Sequence, residues 1–170
     1  MQTICNRKEV LDIIKELAHR ISAAHPGFRD TIIVGIQQGG VVVANELLNT
    51  IKTLQPDAAI QYGQLDITFY RDDIRKNIMA PDVMNLPFGI EEKTIVLIDD
   101  VLFTGRTIKA ALDALLDYGR PAKVELCVLI DRKEHRQFPI QADYAGKTVV
   151  TSRTDKVKFM DGEIVLLPGN

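Results

Sequence analysis

The chain has no tryptophan and only two cysteines, Cys5 and Cys127. Two thiols so far apart build no disulfide framework. Cys127 lies inside an apolar run, where a thiol behaves as a small hydrophobe. That usage suits a reducing compartment, and a cytoplasmic location is expected. No apolar stretch approaches the roughly 20 residues a membrane span needs, and the first residues lack the apolar core of a secretory leader. Charge of one sign is also lacking. With 21 basic against 23 acidic residues the net charge is −2, so no global field draws nucleic acid, and any such binding needs a local patch. Internal repeats and low-complexity segments are absent. What remains, 170 residues with 46% hydrophobic content, suits a single domain with a sizeable core.

The chain is organised around Thr94 to Thr107, TIVLIDDVLFTGRT. Thr94, Ile95, Val96, Leu97 and Ile98 lack polar alternation, which predicts a strand covered on both faces, as in a parallel sheet. Asp99 and Asp100 close it, a loop over Val101, Leu102, Phe103 and Thr104 follows, and Gly105 opens a helix. Ile108, Ala111, Leu112, Leu115 and Leu116 give that helix one apolar stripe; Gly119 and Pro121 end it. The first N–H groups of a helix have no internal acceptor, and the macrodipole adds about half a positive charge there. Hydroxyls from Thr104 and Thr107, the charge of Arg106 and the bare backbone of Gly105 complete a place for a phosphate. The two acids would repel a phosphate, so they suit sugar hydroxyls, or Mg²⁺ reached through water. A nest beside paired acids fits a ribose 5-phosphate.

Other segments deliver loops to the same rim. Asn6 with Glu9 resembles a capping pair ahead of a helix reaching about Ala24, its stripe formed by Val10, Ile13, Ile14, Leu17, Ala18 and Ile21. Thr31 to Ile36 predicts a second buried strand running into Gln37, Gln38, Gly39 and Gly40, then a helix with Ala44, Leu47, Leu48 and Ile51 inward. Leu65, Ile67 and Phe69 alternate with polar residues, as in a half-exposed strand. Residues 71–92 read as a long loop, which in a compact domain is commonly functional. Lys123 to Ile130 predicts another buried strand, followed by Asp131 and Arg132, and Lys147 to Val150 a short one. Lys156–Met160 and Glu163–Leu167 around Asp161-Gly162 predict a hairpin with a type I′ turn. Ligands of open α/β sheets bind beyond the strands' carboxyl ends, here after Ile36, Ile98 and Ile130.

Residues 96–108, VLIDDVLFTGRTI, resemble the phosphoribosyl pyrophosphate (PRPP) signature of type I phosphoribosyltransferases. AALDALLDYGRPAKVELCVLIDR, PIQADYAGK and DITFYRDD are similar to one branch, the PyrR family of pyrimidine operon attenuation proteins with uracil phosphoribosyltransferase activity. The resemblance covers roughly residues 10–160. A strand ending in two acids also begins response-regulator receivers, but those carry the pair near the chain start and leave a TGRT run without a role.

The resemblance implies an α/β fold of the type I phosphoribosyltransferase class: a central, mainly parallel sheet flanked by helices, with a core of about 28–150. A small hood would come from the N-terminal helix region and the hairpin within 151–170, and a flexible loop from about 71–92. It implies Mg²⁺-dependent transfer from PRPP to uracil, giving uridine 5′-monophosphate (UMP) and pyrophosphate. Thr104, Gly105, Arg106 and Thr107 would bind the 5-phosphate, within a motif that includes Val96, Leu97, Ile98, Val101, Leu102, Phe103 and Ile108. Asp99 and Asp100 would hold the ribose diol, with Mg²⁺ bridging diol and pyrophosphate. Gln38, Gly39, Gly40 and Arg71 would meet pyrophosphate; Asp131, Arg132 and Val157 would lie beside the base. Phe103, where purine enzymes place an acid, agrees with a pyrimidine and leaves proton removal unassigned.

Two departures stand out. The family has cationic side chains where this chain has Gln37, Gln38 and Gly39, which points to weakened transfer and gives weight to an RNA-binding regulator with little activity. Glu16 and Gln141 replace arginines of the family. His19, His135 and Arg136 are the remaining candidates for contact with the leader messenger RNA of a pyrimidine operon. A homodimer or larger homo-oligomer, with no membrane partner, is also implied.

Overall fold

A computed structural model describes residues 1–68 and 89–170, together with the strand Met84–Asn85. Arg71 and most of the expected 71–92 loop lie outside the described residues. In chain order the elements are β1 (Gln2–Cys5), α1 (Arg7–Ala24), β2 (Thr31–Ile36), α2 (Gly39–Leu54), β3 (Gln61–Leu65) and β4 (Met84–Asn85). Then come β5 (Thr94–Leu102), α3 (Arg106–Tyr118), β6 (Lys123–Asp131), β7 (Tyr144–Thr148), β8 (Lys156–Met160) and β9 (Glu163–Leu167).

The main sheet has the order β4-β3-β2-β5-β6-β7. Its five strands from β3 to β7 are parallel, with β4 antiparallel at one edge. Successive side chains of a strand face opposite ways, and the apolar runs use both faces. Ile33, Val96, Ile98, Cys127 and Leu129 join the cluster under α1 and α2. Ile32, Val34, Ile36, Ile95, Leu97, Leu126 and Val128 join the one under α3. Burying one large aliphatic side chain contributes about 1.5–3 kcal/mol, so a sheet covered on both sides is the stable solution for such strands.

The expected cap of α1 is present: Glu9 N–H donates to Asn6 Oδ1 at 3.0 Å, and Asn6 N–H donates to Glu9 Oε2 at 2.7 Å. The expected hairpin is β8–β9, and Asp161 and Gly162 have φ of +52° and +80°. Positive φ at both central residues belongs to a type I′ turn. β1, which alternation in the sequence does not announce, pairs with β9, so the small sheet runs β1-β9-β8. The N-terminal contribution to it is therefore a strand, while α1 packs on α2 and the main sheet.

Three boundaries move. The strand expected to carry Leu65, Ile67 and Phe69 is β3, which ends at Leu65, with Ile67 beyond it and Phe69 outside the described residues. β5 continues past Ile98 through both acids to Leu102, because its ladder to β6 extends to Val101–Ile130 and Leu102–Asp131. The last short strand lies at Tyr144–Thr148, earlier than expected, where it pairs with Cys127 to Asp131.

Candidate functional site

Because Asp99 and Asp100 are neighbours on a strand, they face opposite sides of the sheet. Asp99 lines a cavity of about 290 Å³ with Val101 to Ile108, at the N-terminus of α3. Asp100 lies on the α2 side, where a Cβ added to Gly39 would overlap its carboxylate. A Cβ on Gly40 would overlap the Ile98 carbonyl oxygen. Glycines here let the start of α2 press onto the end of β5, so one acid pair stands between two helix N-termini.

Burial first, and the adjacent Asp100 carboxylate second, push the Asp99 carboxyl well above the usual carboxylate range. Its Oδ1 accepts from Asp100 N–H at 2.9 Å, and Asp100 Oδ1 accepts from Val101 N–H at 2.8 Å. Among the described residues no three His, Cys, Asp or Glu side chains gather as a metal site. Two carboxylates with no protein cage fit a hard ion that keeps waters and takes its other ligands from substrate oxygens.

At α3 the N-cap is Gly105 with φ +93°, a left-handed conformation that strains any L side chain. Neither Gly105 nor Gln38, the N-cap of α2, makes a side-chain capping bond. The contrast with the fully capped α1 is direct. Thr104 Oγ1 accepts from Arg106 N–H at 3.3 Å, and the helical ladder starts with Lys109 N–H to Gly105 O at 2.9 Å. The N–H groups of Thr107 and Ile108, in the first turn, have no intrahelical acceptor. An anion in the cavity would meet them together with the two threonine hydroxyls.

The wall of this cavity is Phe103. The Arg132 guanidinium stacks 3.7 Å from its ring centroid, and His135 meets its edge at 5.3 Å. Arg132 is 3% exposed, and donates to Thr151 Oγ1 at 2.9 Å and Ser152 O at 3.0 Å. It therefore backs Phe103, and the aromatic ring is what lines the cavity. Asp131 is buried and bonded to Arg136 at 2.7 Å. Val157 is half-buried against the α1–α2 core cluster and does not line this cavity.

The three candidate RNA contacts are not grouped. His19 is on the exposed face of α1, its Nδ1 2.7 Å from Lys15 O. His135 and Arg136 lie after β6, with His135 Nε2 2.8 Å from Thr151 O and the Arg136 guanidinium facing inward to Phe103 O, Asp131 and Ile140 O. Sequence reasoning missed Gln137, whose backbone N–H donates to Thr104 O at 2.8 Å and whose Oε1 accepts from Arg106 Nε at 3.2 Å. No periodicity announces a contact between segments more than 30 residues apart.

Residues 2–163 match the model of the phosphoribosyl transferase domain family. The bifunctional protein PyrR of Chloroflexus aurantiacus is 45% identical over 98% of this chain and 95% of its own length. That of Clostridioides difficile is 40% identical over 94% and 93%. Among solved structures, a hypoxanthine phosphoribosyltransferase of Trypanosoma cruzi superposes with TM-score 0.78 at 17% identity, covering 99% of this chain and 91% of that one. One from Staphylococcus aureus gives 0.70 at 24%, covering 89% and 80%; both likenesses concern the fold. No helix among the described residues is long and apolar enough to cross a membrane. With its domain matched almost end to end and its acid pair set against a glycine-led helix, the chain belongs to the phosphoribosyltransferase family and, within it, to the PyrR proteins.

Proposed function

We propose that the protein transfers the phosphoribosyl group of PRPP to uracil, releasing pyrophosphate and forming UMP. The observation that carries this is the α3 N-terminus behind Gly105, whose N-cap makes no side-chain bond, in one cavity with Asp99 and with Asp100 on the adjoining α2 side. The 5-phosphate is received by the amides of the first α3 turn and by the Thr104 and Thr107 hydroxyls. Asp99 and Asp100 accept hydrogen bonds from the ribose hydroxyls. As the anomeric C–O bond to pyrophosphate lengthens, positive charge grows on the sugar, and fixed carboxylates stabilise it. Asp99 and Asp100 are the residues that would hold Mg²⁺, which would supply charge neutralisation for the departing pyrophosphate. The α2 N-terminus at Gly39 and Gly40 addresses the same group, and Arg71 is a further candidate for it. Phe103 presents a flat apolar face to the base, which favours a pyrimidine in the space it leaves, with Arg132 supporting that ring from behind. The protein works as a homo-oligomer in the cytoplasm.

The test is pyrophosphate release from PRPP with a panel of bases. Turnover with uracil, and none with hypoxanthine or orotate, supports the reading; release with hypoxanthine alone would reverse the base assignment. A second reading is favoured by the bifunctional name of the relatives: UMP-sensitive binding of pyrimidine operon leader RNA, with His19 and His135 as candidates and the inward-facing Arg136 set aside. A gel shift with such an RNA at low salt should strengthen with UMP and fade as salt rises. No shift at low salt leaves the transferase alone.

A further inference from the structure

We propose that Arg136 is a positioning residue for the sugar-phosphate turn, acting through the backbone of Phe103 without touching ligand. The inference rests on the reading of that turn as a ribose 5-phosphate site.

Three segments meet on one guanidinium. Arg136 Nη1 donates to Phe103 O at 2.5 Å, Nη2 to Asp131 Oδ1 at 2.7 Å and Nε to Ile140 O at 2.8 Å. Its side chain is 15% exposed and that of Asp131 8%, so this is a largely desolvated, charge-assisted bracket. The backbone beside it extends the same grip, because Gln137 and Phe138 N–H groups donate to Thr104 O at 2.8 and 3.3 Å. Two consecutive carbonyls of the turn are thus drawn to the segment 136–140.

A trans peptide plane makes the consequence specific. The C=O of one residue and the N–H of the next share a plane and point in opposite directions. Fixing the Phe103 carbonyl on Arg136 therefore turns the Thr104 N–H the other way. Fixing the Thr104 carbonyl does the same for the Gly105 N–H. Phe103, Thr104 and Gly105 all line the cavity. The bracket keeps carbonyl dipoles, which would repel a phosphate, out of the cavity and leaves amide donors for it. The positive charge of Arg136 is matched by Asp131, so its contribution is orientation and not direct attraction. A built Cβ on Gly105 would lie 3.6 Å from Arg136 Cδ, so the arginine stem also packs under the glycine whose left-handed backbone begins the helix.

The test is calorimetric titration of the full chain with ribose 5-phosphate, which needs neither a base nor turnover. It is run at a temperature where circular dichroism shows each variant folded. Arg136→Gln should bind at least about tenfold more weakly, since small misplacements of a binding group have effects of that order. Arg136→Lys should not rescue it, because an ammonium cannot span three acceptors; guanidinium ion at tens of millimolar should restore part of the loss in Arg136→Gln. If Arg136→Gln leaves Asp131 buried and unpaired and fails to fold, the double variant Arg136→Gln with Asp131→Asn removes both charges and is read in its place, with the same expected loss. Affinity within twofold of wild type in a folded variant overturns the inference and spares the site. Wild type that does not bind ribose 5-phosphate removes the site itself, and the inference with it.

Discussion

Two strand-to-helix turns face each other across the acid pair, and they are built by different means. The turn from β2 into α2 is shaped by what it lacks: Gly39 and Gly40 have no side chains, so it presses onto Asp100 and the Ile98 carbonyl. The turn from β5 into α3 is shaped by what holds it: a left-handed Gly105, and carbonyls drawn to Arg136, Gln137 and Phe138. In both, the N-cap residue itself makes no side-chain bond, yet only the second brings threonine hydroxyls to the opening. Contact distance limits the first, and backbone orientation defines the second. A ligand's two phosphate ends would accordingly be met by two different chemistries.

The largest effect should come from filling the first turn. Gly40→Val puts a branched side chain into the Ile98 carbonyl, which is backbone and cannot swing aside. A loss of about 3 kcal/mol or more is expected, at the upper end of overpacking, read from the urea midpoint. Gly105→Ala should be milder for the fold, about 1–2 kcal/mol for a side chain at positive φ. It should weaken ribose 5-phosphate binding more than Gly40→Ala does. If the two alanine variants lose phosphate affinity equally, the distinction between the turns collapses.

Much of this architecture was legible from residue order. Unbroken apolar runs gave the buried strands β2, β5 and β6, helical periods gave α1, α2 and α3, Asn6 and Glu9 gave the first cap, and Asp161-Gly162 gave the hairpin turn. The strand β1 was not legible, since Gln2–Cys5 has no partner until β9 supplies one. Nor was the extent of β5, because two aspartates look like a strand's end when their β6 partners are unknown. At the site, residue types located the turn after Asp100, while its brace did not show. Arg136, a candidate RNA contact by sequence, faces inward, and Arg132, expected beside the base, stands behind Phe103. Such roles depend on contacts between segments about 30 residues apart, which no local pattern records.

Smaller effects sharpen the picture of the acids. Asp100→Asn, with the fold intact, should slow pyrophosphate release at least about tenfold, or ~1.4 kcal/mol in the barrier; an unchanged rate would remove the acid from the reaction. Asp99 should behave differently in the absence of ligand. Its carboxyl is held above the usual value of 3.8 by burial and by Asp100, so the folded state retains a proton that the unfolded state releases. Its contribution to stability is therefore lost as pH rises from near 3.8 through the raised value. Asp99→Asn should raise the thermal midpoint at pH 7, with the gain shrinking as pH falls toward 4. The smallest effect concerns Cys127, whose thiol burial pushes up to about 12. Iodoacetamide at pH 8 should leave it unlabelled in the folded chain and label it after denaturation.

On the proposed function, main-chain nitrogens at the start of α3 grip a sugar phosphate. Backbone amide chemical shifts during titration with ribose 5-phosphate address it most directly. The largest changes should fall on Thr104 to Ile108, with smaller ones at Asp99 and Asp100. Saturable binding whose largest shifts lie at Gln38 to Val41, or away from both turns, would contradict it.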